Sequence, residues 1–136
     1  MKIEECKEEL KSYIYDKQFI DERMQDIAER KTLLERITST ITDTPNTPNI
    51  IQDKLAEKIA GIMDLTTDLE KMIANLKEKQ IRIENKIDKL EQPYKNILYM
   101  MYIKGNTLVT VASNMNYSYK YMCRVHGDAL KKYAEL

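Results

Sequence analysis

The sequence predicts an all-α protein: a long antiparallel helical hairpin of coiled-coil type, followed by a C-terminal three-helix module with a helix-turn-helix layout. Three observations predict it. Leu55, Ile62, Leu69, Leu76, Ile83 and Leu90 recur every seven residues without a miss, the repeat of a helix with one continuous apolar seam. The 136 residues hold three glycines and three prolines, so long uninterrupted elements are easy to fit. The chain then closes with short amphipathic segments separated by Lys104-Gly105-Asn106 and Met115-Asn116-Tyr117.

The first helix is expected over about 3–41. Leu10, Tyr13, Ile20, Met24, Ile27, Leu34, Ile37 and Ile41 follow at helical steps, with Lys17 and Lys31 interrupting the seam. Thr44-Pro45-Asn46-Thr47-Pro48-Asn49 cannot continue a helix, because each proline lacks an amide and restricts its predecessor. Thr47 reads as an N-cap and Pro48 as the first helical residue after it. The second helix is expected over about 49–91. Ile59, Leu65, Met72, Ile73 and Ile87 widen its stripe, and Lys79 and Lys86 spoil one seam position near its end. Two helices of about 40 residues, roughly 60 Å each, joined by a short loop fit a hairpin forming a scaffold over 1–91; pairing of the same helices between chains is the competing arrangement. A lone two-helix hairpin leaves apolar edge exposed, so a homo-oligomer held through the long helices is expected.

Residues 92–136 are expected to form the second module. Gln92-Pro93 should end or kink the preceding helix at about residue 91. Pro93 then starts a helix to about Ile103, with Ile97, Leu98, Met101 and Tyr102 inward. Gly105 is expected in a conformation costly to a residue with a Cβ. Thr107 is the expected N-cap of a helix over 108–114, with Leu108, Val111 and the small Ala112 inward. Asn116 tolerates positive φ in the following turn. Ser118 is the expected cap of a third helix to about Ala134, whose buried stripe is Met122, Val125, Ala129, Leu130 and Tyr133. That stripe leaves Tyr119, Lys120, Tyr121 and Arg124 on the outer face of the first two turns. In a helix-turn-helix those positions enter the DNA major groove. Arginine and lysine donate to guanine or to phosphates, and tyrosine adds a hydroxyl and a flat ring. Helix N-termini at Thr107 and Ser118 offer amides to phosphate oxygens. The candidate DNA-binding residues are therefore Thr107, Ser118, Tyr119, Lys120, Tyr121 and Arg124.

Charge agrees in sign. The whole chain is neutral, but residues 92–136 carry six Lys/Arg against two acids, a balance of +4 that leaves −4 on residues 1–91. Cys6 and Cys123 are 117 positions apart with no metal-ligand spacing, which suits a reducing compartment better than a disulfide framework. With no apolar leader and no apolar run of about 18 residues, a soluble cytoplasmic protein without a membrane partner is expected. His126, the one histidine, has no evident partner for metal binding or base catalysis and is assigned a surface or packing role. Cys123 is read as inert and the methionines as core filler. Without a nucleophile–base pair, an acidic cluster at metal spacing or a glycine-rich phosphate loop, no enzyme, metal or cofactor is expected.

Thr107-Leu108-x-x-Val111-Ala112, Met115-Asn116-Tyr117-Ser118, Met122, Val125 and Ala129-Leu130 together resemble the region-4 helix-turn-helix of bacterial sigma factors. More narrowly, with Gln92-Pro93-Tyr94 and Arg124-x-His126, the segment is similar to the small sigma-like regulators of Gram-positive phages and mobile elements, the ArpU/RinA-type late transcription activators. The resemblance covers about residues 90–134. It implies a sequence-specific DNA-binding transcriptional regulator acting on double-stranded DNA, with RNA polymerase as a further candidate partner. Two departures stand out: Thr110 occupies the place where sigma modules carry a capping glutamate, and Asn116 the place where glycine is common. Nothing in the chain resembles the sigma region that melts promoter DNA, so promoter opening is not implied. Two alternatives fit the same layout: a DNA-packaging adaptor of small-terminase type, whose usual module order is the reverse of this one, and a non-catalytic coiled-coil interaction protein.

Overall fold

Helix accounts for all the regular secondary structure among the described residues. The computed structural model describes residues 1–43 and 49–136, the side chains of residues 41–43 and 49 excepted. The break expected at 44–48, with its Thr47 cap and Pro48, and the inward placement of Ile41 therefore lie outside the described residues. Two long helices, α1 (Ile3–Asp43) and α2 (Asn49–Asp88), precede α3 (Tyr94–Leu98), which runs on into a π-helical turn (Tyr99–Ile103). Then come α4 (Leu108–Asn114) and α5 (Tyr119–Ala134). No helix among the described residues is long and apolar enough to cross a membrane.

The chain divides into two compact units, residues 1–18 with 78–136, and residues 19–77. The first unit holds the main core. Cys6, Leu10 and Tyr13 of α1, with Ile83, Ile87 and Leu90 at the end of α2, pack with Ile97, Leu98, Tyr102, Val111, Ala112, Met122, Val125, Ala129, Leu130 and Tyr133. The hydrophobic core is thus continuous across residue 91. Polar contacts frame it: Lys79 pairs with Asp16 at 3.1 Å and Lys86 with Glu9 at 3.5 Å, the Tyr13 hydroxyl donates to Glu84, and the Tyr133 hydroxyl donates to Glu9 at 2.9 Å. In these pairs the order along α2 runs opposite to that along α1. Lys79 and Lys86 do not spoil a seam, as periodicity suggested. They flank it, where long cationic side chains lay their methylenes over the core and reach the opposing carboxylates.

In the second unit Ile20, Thr66 and Ile73 are buried, and Lys31 pairs with Glu70 at 3.4 Å. Thr66 fills a seam position because its hydroxyl donates to the Ile62 carbonyl at 2.7 Å, which satisfies its one polar group within the helix. Three expected stripe residues do not face inward: Met24, Leu65 and Met72 are 47%, 61% and 50% exposed. The physical reason is angular. A stripe of this width spans more than a third of the helix circumference, and one neighbouring helix covers only its centre.

Near residue 91 the element boundaries shift. α2 stops at Asp88, three residues earlier than expected; its last turn tightens, with the Leu90 amide bonding the Ile87 carbonyl at 3.0 Å. Pro93 follows a cis bond and occupies the cap position before α3, not its first turn. The Gln92 side-chain oxygen accepts the Asn96 amide at 3.2 Å.

The N-terminal turns of α1 belong to the same core as α5, so Leu10→Ala should lower unfolding free energy by roughly 2–5 kcal/mol, the cost of a cavity at a fully buried leucine. In urea denaturation, the tyrosine fluorescence should shift to a lower midpoint together with overall helicity; a midpoint unchanged by the substitution would contradict the shared core.

Candidate nucleic-acid interface

The turn before α5 is built by end-cap chemistry. α4 ends in a Schellman arrangement: the Tyr117 amide bonds the Ala112 carbonyl at 3.0 Å, the Asn116 amide bonds the Ser113 carbonyl at 3.3 Å, and Asn116 takes φ 59°. The expectation of positive φ at Asn116 thus has its structural cause. Gly105 plays the corresponding part after α3, at φ 77°, with the Ile14 side chain 3.3 Å from where a Cβ would stand. The wide π-turn before it sends the Lys104 amide to the Tyr99 carbonyl and the Asn106 amide to the Met100 carbonyl.

Both expected caps form. The Thr107 hydroxyl accepts the Thr110 amide at 3.2 Å, and the two threonine hydroxyls lie 2.9 Å apart, so Thr110 bonds the cap side chain where a glutamate would have reached the cap backbone. The Ser118 hydroxyl accepts the Tyr121 amide at 3.2 Å. α5 then buries the stripe read from the sequence: Met122, Val125, Ala129, Leu130 and Tyr133.

All six candidate residues are exposed: Thr107 and Ser118 at the helix starts, and Tyr119, Lys120, Tyr121 and Arg124 on the first two turns of α5. Tyr119 is 55% and Tyr121 42% exposed, so neither serves as filler for a helix seam. Lys120 and Arg124 make no ion pair among the described residues, unlike Lys79 and Lys86 in the same unit. Its interaction with the exposed Cys123 holds the Tyr119 phenol above its ordinary pKa. The two helix starts and the α5 face belong to one compact unit, which carries 14 basic against 11 acidic residues; residues 19–77 carry 8 against 11.

Sequence reading missed two neighbours of this face. Tyr117 packs its ring on Tyr121, centroids 5.1 Å apart, an i,i+4 aromatic pair across the Ser118 cap. Lys131, exposed in the last turn of α5, lies on the same side as Lys120 and Arg124, which the helical spacing alone could have given. His126 has the expected packing role, with a partner the sequence did not reveal: its Nε2 lies 2.8 Å from the Tyr102 hydroxyl and the two rings stack. Among the described residues no group of three or more His, Cys, Asp or Glu is placed to hold a metal ion.

Comparison with protein-family models, curated proteins and solved structures finds no match to this chain. The functional reading accordingly rests on the side chains themselves.

Burial lowers the His126 pKa from its ordinary 6.5, and the charges of Lys7 and Lys11 lower it further. The unfolded chain therefore takes up this proton first as pH falls, so the histidine's contribution is complete above about 6.5 and is lost as pH drops through the lower folded-state value. The thermal midpoint should decline between pH 7.5 and 5.5, and less steeply in His126→Gln; parallel declines in calorimetry would rule out the histidine as the source.

Proposed function

We propose that this chain is a sequence-specific DNA-binding transcriptional regulator, of the kind encoded by phages or mobile elements, that reads the major groove of double-stranded DNA with α5. One observation carries the reading: Tyr119, Lys120, Tyr121 and Arg124 stand out together from the first two turns of a capped helix whose opposite face is fully committed to the core. An Arg and a Lys without ion-pair partners among the described residues, flanked by tyrosine rings, supply donors for guanine edges and phosphates together with flat apolar surface. Thr107 and Ser118, at the starts of two successive helices, are assigned to phosphate oxygens. The likeness of residues 90–134 to sigma region 4 supports the same reading and adds RNA polymerase as a candidate partner.

Lys120→Ala with Arg124→Ala should abolish retention of a duplex selected by the wild-type protein from a random pool, while leaving helicity and thermal midpoint unchanged. The logarithm of affinity against the logarithm of salt concentration should also flatten, by about one unit for each phosphate-binding cation removed. Equal affinity and equal slope in the double variant would refute the assignment.

Self-association through the long helices is part of the same proposal. Leu65 and Met72 lie exposed beside the half-buried Ile62, Leu69 and Leu76 of α2, an apolar strip of the sort that pairs with another helix. In this reading α1 and α2 form an antiparallel hairpin, and a second copy covers the strip and sets the spacing of two reading helices. Replacing Leu65 and Met72 by lysine should lower the mass measured by light scattering with helicity retained. A mass unaffected by both replacements would remove this strip from the assembly.

A further inference from the structure

Lys120, Arg124, Gly127 and Lys131 follow one another along α5 at steps of four, three and four, which places them in a single row on its outer side. The three cations of the row are exposed, and none has an ion-pair partner among the described residues. Asp128 lies beside the row on the next residue. The row is interrupted at its middle by a glycine that nothing in the fold requires. A Cβ built at Gly127 meets no atom within 4 Å, so no neighbouring helix needs the space. Its φ is not positive, unlike that of Gly105, so the backbone does not need a glycine either. A glycine inside a helix destabilises it relative to alanine, and here no packing gain offsets that loss. What glycine does provide is a helix backbone that another chain can approach without meeting a side chain.

We infer that Gly127 is the point where the sugar–phosphate backbone of a bound duplex comes closest to α5, an inference that rests on the DNA-reading function proposed above. Arg124 and Lys120, one and two turns earlier respectively, then lie inside the groove. The duplex strand bordering that groove crosses the helix at the bare turn, and Lys131 meets phosphates on its far side. A methyl group at 127 would hold the strand off the helix and lengthen the contacts of Arg124 and Lys131 together.

The test uses the full chain and two substitutions, Gly127→Ala and Asn85→Ala, the second at an exposed position of α2 on the side opposite the Leu65 strip. Both should raise the thermal midpoint by a few degrees, because alanine favours the helix. Affinity for the duplex selected by wild-type protein should fall about fivefold or more in Gly127→Ala and stay within about twofold in Asn85→Ala. Undiminished affinity in Gly127→Ala would overturn the inference, as would an equal loss in both variants. A lowered midpoint in Gly127→Ala would also overturn it, by showing that the fold itself needs the glycine. If wild-type protein retains no duplex even at low salt, the DNA reading fails and takes this inference with it. That result differs from normal retention by both wild type and Gly127→Ala, which leaves the DNA reading intact.

Discussion

Glu9, on the second turn of α1, is the polar centre of the unit that carries the α5 face. One of its oxygens accepts the hydroxyl of Tyr133 and lies 3.5 Å from the Lys86 ammonium, and that ammonium sits 5.1 Å from the centre of the Tyr133 ring. Three helices meet at this carboxylate, and its α1 neighbours Cys6 and Leu10 are fully buried in the core. The constraint behind it is size. Residues 92–136 are a short segment with little apolar surface of their own to bury, and the sequence contains no tryptophan to enlarge the core. The turns of α1 and α2 that join the cluster supply the missing apolar wall. The buried Tyr133 phenol is accommodated because Glu9 accepts its hydrogen bond: burial first, and then the bond to Glu9, push its pKa well above the ordinary tyrosine range.

Once that wall is in place, the orientation of α5 is fixed by short-range chemistry. The αL conformation of Asn116 ends α4, the Ser118 hydroxyl begins α5, and only Tyr117 lies between them. Such a tight turn leaves α5 little freedom relative to α4, and the small Ala112 lies in the core cluster beside the α5 stripe. A face on a capped helix of a packed unit is held more firmly than one on a loop. Lys120 and Arg124 thus stand exposed on a held surface, while Lys31, also exposed but on a long helix, has a carboxylate partner in Glu70.

Several features were legible because they depend on local rules. The buried stripe of α5 follows from a 3.6-residue period over sixteen residues. Gly105 and Asn116 mark helix ends because few other residues take positive φ cheaply. Other features were not legible, since they depend on what lies opposite. Leu65 and Met72 have the same spacing as buried residues, and nothing in the period says which edge of a wide stripe a neighbour will cover. Cys6 carried no structural signal in the sequence, yet it is fully buried. Lys79 and Lys86 looked like seam errors until Asp16 and Glu9 were found across from them. His126 and Tyr102 are 24 residues apart, on different helices, and no spacing rule joins them.

The sequence by itself determined the helical class, the ends of α4 and α5, the inner stripe of α5 and hence which of its residues stay outside. Those are consequences of backbone sterics, capping and amphipathic period, all properties of neighbours along the chain. The tertiary structure alone decided that the first turns of α1 and the last turns of α2 complete the core around α3, α4 and α5. It also decided which edge of the α2 stripe remains uncovered and that Glu9 joins Tyr133 and Lys86. These are contacts between residues as many as 124 positions apart, selected by shape and charge across the core, and no local preference encodes them.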